Sequence, residues 1–89
     1  MDQDAAVAHQ VDQGSEPLYR IGEVSEKAGV SRQVVSTYCM YGLLTEAART
    51  AGGQRLFDEA TVRRIRLIQD LKRHYTLREI REIFLRDRL

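Results

Sequence analysis

Cysteine, proline and long apolar runs are all scarce in this 89-residue sequence. The single cysteine, Cys39, cannot form an internal disulfide and lacks partners for a metal site, since His9 and His74 are distant from it in the sequence. We therefore expect no metal, no cofactor and a reducing, cytoplasmic setting. Apolar runs span only a few residues, and residues 1–11 carry acids where a secretory leader needs Lys or Arg, so we expect neither a membrane segment nor an export signal.

Patterns typical of catalysis are also missing. The sequence offers no nucleophile paired with a base, no pair of carboxylates near a cleft signal and no glycine-rich phosphate loop. A chain of 89 residues is enough for one small domain and too short for a separate cofactor domain. With 43% hydrophobic and 30% charged residues, the composition is typical of a folded, helix-rich domain. We expect that the protein is not an enzyme.

Charge divides the sequence at its only proline, Pro17. Residues 1–17 contain four acidic residues and no basic one, and we predict that they form a disordered acidic tail. Residues 18–89 contain all fourteen basic residues against nine acidic ones, a net charge of +5. Twelve of the fourteen are arginines, whose planar guanidinium suits phosphate oxygens and base edges. This asymmetry favours a polyanionic partner, but helix-forming and salt-bridging arginines are an equally good explanation of the composition alone.

Two helices joined by a short turn are predicted in the first half of the chain. Apolar residues spaced three and four apart over residues 21–28, followed by Gly29, indicate a first helix. Ser31 can cap a second helix that runs to about Tyr41 and ends at Gly42. Two short helices with a glycine-containing turn make a helix-turn-helix candidate.

The second helix has two contrasting faces. Its apolar face, predicted to lie in the core, consists of Val34, Val35, Tyr38 and Tyr41. The opposite face is small, polar and free of acids, and consists of Arg32, Gln33, Ser36, Thr37 and Met40. Arg32 and Gln33 stand near the helix N-terminus, where they could reach base edges or phosphates. A polar face that merely contacts solvent remains the alternative.

A hairpin is predicted after the second helix. The glycine pair at 52–53 fits a tight turn between two short arms at 49–50 and 54–55. So small a hairpin has almost no buried face and needs packing against the helices. Its exposed arginines, Arg49 and Arg55, therefore favour a functional interpretation.

Two further helices complete the predicted fold. Asp58 caps a third helix that runs to about Arg73, and residues 76–79 form a capping box that opens a fourth. We expect the arginines of the third helix to lie on a solvated face: Arg63, Arg64 and Arg66. A small apolar patch at the end of the fourth helix could support a homodimer or complete a monomeric core: Phe84, Leu85 and Leu89.

The order of these motifs resembles the N-terminal winged helix-turn-helix domain of the MerR family. The resemblance covers about residues 19–86 and is carried by residues 21–31, Tyr38, residues 42–44, Arg49, residues 52–53, Arg55 and residues 57–58. It implies a mainly α fold, a winged helix-turn-helix over residues 18–89 with about four helices and a short two-stranded β-hairpin wing. It also implies that the second helix lies in the major groove and the wing on the DNA backbone. The predicted DNA-binding residues are Arg32, Gln33, Ser36, Thr37, Tyr38, Arg49, Gln54 and Arg55.

The sequence departs from the family pattern in two places. The family's recognition helix usually reads Thr-Ile-Arg-Tyr-Tyr-Glu. Residues 34–39 of this sequence read Val-Val-Ser-Thr-Tyr-Cys instead, so that Ser36 takes the place of the usual DNA-facing arginine. Gln54 replaces the wing's usual aromatic. We therefore expect a different operator. We also expect a regulator that lacks the family's long dimerisation helix and effector domain.

Three classes of function remain open. The first is sequence-specific binding of double-stranded DNA by a transcriptional regulator, as a homodimer or with a partner protein. The second is an excisionase-like architectural protein that bends DNA. The third is a protein-binding module that resembles co-chaperone modulators, which the exchange at Ser36 favours and the wing arginines oppose. Cys39 is expected to be a partly buried free thiol.

Overall fold

The computed structural model describes residues 17–88, which form four helices and three short strands. In chain order these are β1 (Tyr19–Arg20), α1 (Ile21–Ala28), α2 (Arg32–Met40), β2 (Ala48–Arg49), β3 (Arg55–Phe57), α3 (Glu59–Leu71) and α4 (Leu77–Asp87). The mainly α, winged helix-turn-helix fold predicted from the sequence is confirmed. The predicted acidic tail lies outside the described residues except for Pro17, and Leu89 lies outside them as well.

The turn between α1 and α2 follows from two local signals. Gly29 ends α1 with φ of 75°, a left-handed conformation that glycine adopts at little cost. Ser31 is extended, and its Oγ accepts a hydrogen bond from the backbone N–H of Val34 at 3.1 Å. This cap satisfies one of the unpaired donors at the start of α2. The predicted helix-turn-helix is therefore confirmed.

The sheet has three strands rather than the predicted two. β3 lies in the middle and pairs antiparallel with both β1 and β2, so that Tyr19 faces Phe57 and Ala48 faces Leu56. The additional strand, β1, runs directly into α1. A strand of two residues has no alternating pattern for sequence analysis to detect. By pairing with β3, β1 joins the wing to the start of the helix-turn-helix.

A single apolar core draws on α1, α2, β3, α3, α4 and the segment after α2. Its buried members are Val24, Val35, Tyr38, Leu43, Leu44, Phe57, Val62, Ile65, Ile68, Ile80 and Phe84. The prediction that Tyr41 joins this core is wrong, because Tyr41 is 42% exposed. α2 ends there, and Gly42, with φ of 76°, turns the chain so that the next two leucines enter the core instead.

One arginine of α3 departs from the predicted solvated face, since Arg64 is half-buried, while Arg63 and Arg66 are exposed as predicted. The Nε of Arg64 donates to the Leu43 carbonyl at 2.8 Å, and its guanidinium lies 4.3 Å from the centre of the Phe84 ring. Burial lowers the pKa of Arg64. Arg66 is exposed, but its Nη2 donates to the Lys27 carbonyl at 2.9 Å. The side chains of Arg64 and Arg66 therefore join α3 to neighbouring segments of the chain.

The last two helices begin as predicted. Asp58 Oδ1 accepts from the Thr61 backbone N–H, and Thr76 and Glu79 form a reciprocal capping box. Of the apolar residues predicted at the end of α4, Phe84 completes the core, which was one of the two alternatives, while Leu85 is 64% exposed. None of the helices between residues 17 and 88 is long and apolar enough to cross a membrane.

Candidate nucleic-acid interface

The polar face of α2 is accessible at both of its ends. Arg32, Gln33 and Met40 are exposed, and Met40 is 81% exposed. Ser36 and Thr37, in the middle of the face, are half-buried, and the Gln33 Nε2 donates to Thr37 Oγ1 at 3.5 Å. No acidic residue lies within this helix. The face can therefore approach a phosphate backbone without repulsion from its own side chains.

Tyr38 does not belong to this face, and the prediction that it contacts DNA is corrected. Its side chain is 1% exposed, and its hydroxyl is hydrogen-bonded to the Nε2 of Gln69 on α3. Burial raises the pKa of the Tyr38 hydroxyl, and the bond to Gln69 partly offsets that rise. Tyr38 holds α2 against α3 and acts on the interface only by positioning it.

Two hydrogen bonds hold the side chain of Arg49 in the wing. Its Nε donates to Glu46 Oε2 at 2.9 Å, and its Nη1 donates to the Gly53 carbonyl at 3.2 Å. Hydrogen bonds from the Glu46 backbone and the Arg49 side chain lower the pKa of the Glu46 carboxyl. The hairpin turn closes at Gly53, where φ is 88°. These contacts hold the guanidinium beside the turn.

A cleft separates the wing from the helix-turn-helix. Its volume is about 570 Å³, and its lining comes from β1, α1, the start of α2 and the wing: Arg20, Ile21, Gly22, Glu23, Glu26, Arg32, Gln54 and Arg55. The Arg20 Nη1 donates to Gln54 Oε1 at 2.7 Å, which joins β1 to the wing across the cleft. Three of the predicted DNA-binding residues, Arg32, Gln54 and Arg55, thus meet at one site.

Arg20 is a lining residue that sequence analysis missed. It stands directly before α1, in the strand that the sequence pattern does not reveal. The arginine-rich composition gives no means of separating it from the other arginines of the chain. Only the pairing of β1 with β3 brings it beside the wing.

Cys39 is half-buried and free, as predicted. Burial raises the pKa of the thiol, and the nearby guanidinium of Arg55 partly offsets that rise. The thiol is therefore protonated at neutral pH. Within residues 17–88 no group of three or more His, Cys, Asp and Glu side chains is arranged to hold a metal ion.

Two helices joined by a short turn, with a β-hairpin packed beside them, define the winged helix-turn-helix class of proteins. The sequence model described as "MerR HTH family regulatory protein" matches residues 19–87. This chain therefore belongs to the MerR family of helix-turn-helix regulatory proteins. Proteins of this family are regulators of transcription, which confirms the expectation that the chain is not an enzyme.

Individual relatives agree with this assignment. The mercuric resistance operon regulatory protein of Bacillus cereus is 36% identical over 63 residues, which are 70% of this chain and 48% of the relative. The structure of the transcription regulator PbrR691 from Ralstonia metallidurans CH34, in complex with lead(II), is 43% identical with a TM-score of 0.69 and covers 79% of this chain and 56% of that one. The chain spans about half the length of these relatives.

A third comparison concerns a DNA complex. HiNmlR, described as a MerR family regulator lacking the sensor domain and bound to promoter DNA, is 28% identical with a TM-score of 0.68. The match covers 75% of this chain and 54% of that chain.

Proposed function

We propose that this chain binds double-stranded DNA in a sequence-specific manner, as the DNA-binding module of a transcriptional regulator. The observation that carries the proposal is the position of Arg32, which belongs both to the acid-free face of α2 and to the arginine-lined cleft beside the wing. One continuous surface thus offers a helix for a groove and guanidinium groups for the flanking phosphates.

The polar face of α2 supplies base recognition in this proposal. A helix of this size fits the major groove, where the amide of Gln33 can pair with adenine. The apolar side chain of Met40, 81% exposed at the other end of the face, suits the methyl group of thymine. Ser36 and Thr37 lie between them and allow the helix to approach closely.

The wing supplies affinity. Arg49 and Arg55 neutralise backbone phosphates, a contribution that is independent of sequence and weakens as salt rises. The fixed position of Arg49 against Glu46 and Gly53 reduces the ordering that binding requires. Gln54 contributes by holding Arg20 at the edge of the cleft.

We further propose that this module needs no sensor domain on the same chain in order to bind DNA, and that it acts in the cytoplasm. HiNmlR supports the first point, since it is described as lacking the sensor domain and is bound to promoter DNA. Because one small module seldom binds DNA tightly and specifically, we propose that it acts as a homodimer or with a partner protein. A two-fold dimer would set its recognition helices roughly 34 Å apart.

Selection of bound duplexes from a random library by the full chain tests this function. The proposal predicts enrichment of one motif, and Gln33→Ala is expected to abolish enrichment at one adenine position while it preserves binding to random DNA. Binding with strong bending but no enriched motif would instead indicate the architectural class. Absence of binding to any duplex would overturn the proposal and favour the protein-binding class.

A further inference from the structure

The side chain of Arg32 lies against Gly22, at the start of α1. A methyl group built on Gly22 would lie 2.7 Å from the Arg32 Nη2 and 3.1 Å from its Cζ and Nε. The guanidinium therefore lies against the bare backbone of Gly22, where the side chain of any larger residue would displace it. This contact directs Arg32 into the cleft beside Arg20 and Arg55.

The guanidinium of Arg32 is available to a ligand. In the described part of the chain, the side chain of Arg32 takes part in no hydrogen bond and no ion pair. The two acids of the cleft do not neutralise it: Glu23 Oε1 accepts from the Arg20 backbone N–H at 2.8 Å as part of the α1 cap, and Glu26 forms no ion pair within residues 17–88. Three arginines against two glutamates leave the cleft with a positive balance.

We propose that Gly22 positions Arg32 to bind a backbone phosphate, so that Arg32 contributes affinity and no base recognition. The inference rests on the proposed DNA binding. It assigns different tasks to the two residues at the start of α2. Gln33 recognises a base, whereas Arg32 and the wing bind backbone phosphates on the same side of the groove. Gly22, which needs no contact with DNA, acts through Arg32 alone.

A double-mutant cycle with Gly22→Ala and Arg32→Ala tests the inference. Gly22 has no positive φ, and the atoms that a new methyl would meet are the far end of a flexible side chain, so Gly22→Ala displaces the guanidinium and keeps the fold. Each single variant is expected to weaken binding to the selected duplex and to a random duplex by the same factor, about three- to tenfold at moderate salt. The slope of log affinity against log salt should become shallower by about 1.

The double variant separates positioning from other effects. It should bind no more weakly than Arg32→Ala alone, and thermal unfolding should show that Gly22→Ala is as stable as the wild-type protein or more so. Gln33→Ala is the matched control on the same turn of α2, because it is expected to weaken the selected duplex only.

Two results would overturn the inference. If Arg32→Ala weakens only the selected duplex, Arg32 reads bases. If Gly22→Ala weakens binding as strongly in the Arg32→Ala background as in the wild type, Gly22 does not act through Arg32. Neither result resembles failure of the proposed function itself, in which the wild-type chain would bind no duplex.

Discussion

At the residue scale, Tyr38 connects the helix proposed to bind DNA with the core. It lies on α2, yet its side chain is 1% exposed and its hydroxyl pairs with Gln69 of α3. A helix that reads a groove must hold its side chains in place, and this contact fixes how α2 is presented. Tyr38 therefore supports the interface from behind.

Tyr38→Phe tests this role. The change removes the hydroxyl and leaves the Gln69 amide without this partner, so we expect the free energy of unfolding to fall by about 0.5–1.5 kcal/mol. The DNA affinity of the folded protein should change little, because the buried ring remains and still holds α2 against the core. Urea unfolding and fluorescence anisotropy measure the two quantities, with Tyr75→Phe, 44% exposed, as the control. A loss of affinity without a loss of stability would show that the hydroxyl contacts DNA after all.

Individual residues also show what the sequence could reveal. The helical period places Tyr38 beside Val35 on the apolar face, whereas the family motif places it among the DNA contacts, and the structure agrees with the period. Periodicity fails at Tyr41, because the helix ends there and the chain turns at Gly42. Close contacts such as that between Gly22 and Arg32 have no local signal in the sequence.

At the scale of elements, α3 is the support on which the other helices rest. Arg64 reaches from α3 to the Leu43 carbonyl, just after the recognition helix, and covers the Phe84 ring of α4. One side chain thus joins three parts of the fold. Its charged group therefore contributes to packing.

Arg64→Met is the corresponding prediction. Methionine keeps an apolar stem but removes the hydrogen bond and the cation–π contact, and we expect a loss of about 1–3 kcal/mol in the free energy of unfolding. Arg63→Met, at an exposed neighbouring position, should stay within about 0.5 kcal/mol of the wild type. Urea unfolding at constant pH compares the two. Equal stabilities of the two variants would contradict the structural role of Arg64.

The boundaries of the helices could be predicted because they depend on local chemistry. Ser31, Asp58 and Thr76 each accept a hydrogen bond from a backbone N–H three residues ahead, a contact that sequence spacing alone indicates. β1 could not be predicted in this way. It exists because Tyr19 and Arg20 pair with β3, which follows the whole helix-turn-helix in the sequence. No short window of sequence contains both partners of this contact.

At the scale of the whole molecule, the fold should lose stability in alkaline solution. Burial raises the pKa of Cys39 above its ordinary value of 9.0 and that of Tyr38 above 10.0. Both groups are neutral when protonated, so the folded state holds these protons more tightly than the unfolded chain. As pH rises past 9, the unfolded chain ionises first and the free energy of unfolding falls.

Urea unfolding at pH 7 and at pH 10.5 measures this dependence. The double variant Cys39→Ser, Tyr38→Phe should have a shallower decline between the two values than the wild-type protein. An equal decline in both proteins would mean that other groups cause the alkaline loss.

The assembled interface was only partly predictable from the sequence. The acid-free face of α2 and the wing arginines follow from helical period and turn chemistry. The cleft between them does not, because it forms only when β1, the starts of α1 and α2, and the hairpin meet in the folded molecule. The residues proposed to recognise bases are therefore visible in the sequence, whereas the site proposed for a phosphate forms only in the tertiary structure.

The most direct test of the account is fluorescence anisotropy of the full chain with a selected duplex and a random duplex over a salt series. Arg49→Ala combined with Arg55→Ala serves as the wing variant. We predict tight binding to the selected duplex, a steep loss of affinity as salt rises, and weak binding by the wing variant to both duplexes. Equally weak, salt-insensitive binding of wild type and variant to both duplexes would contradict the claim that this molecule reads DNA.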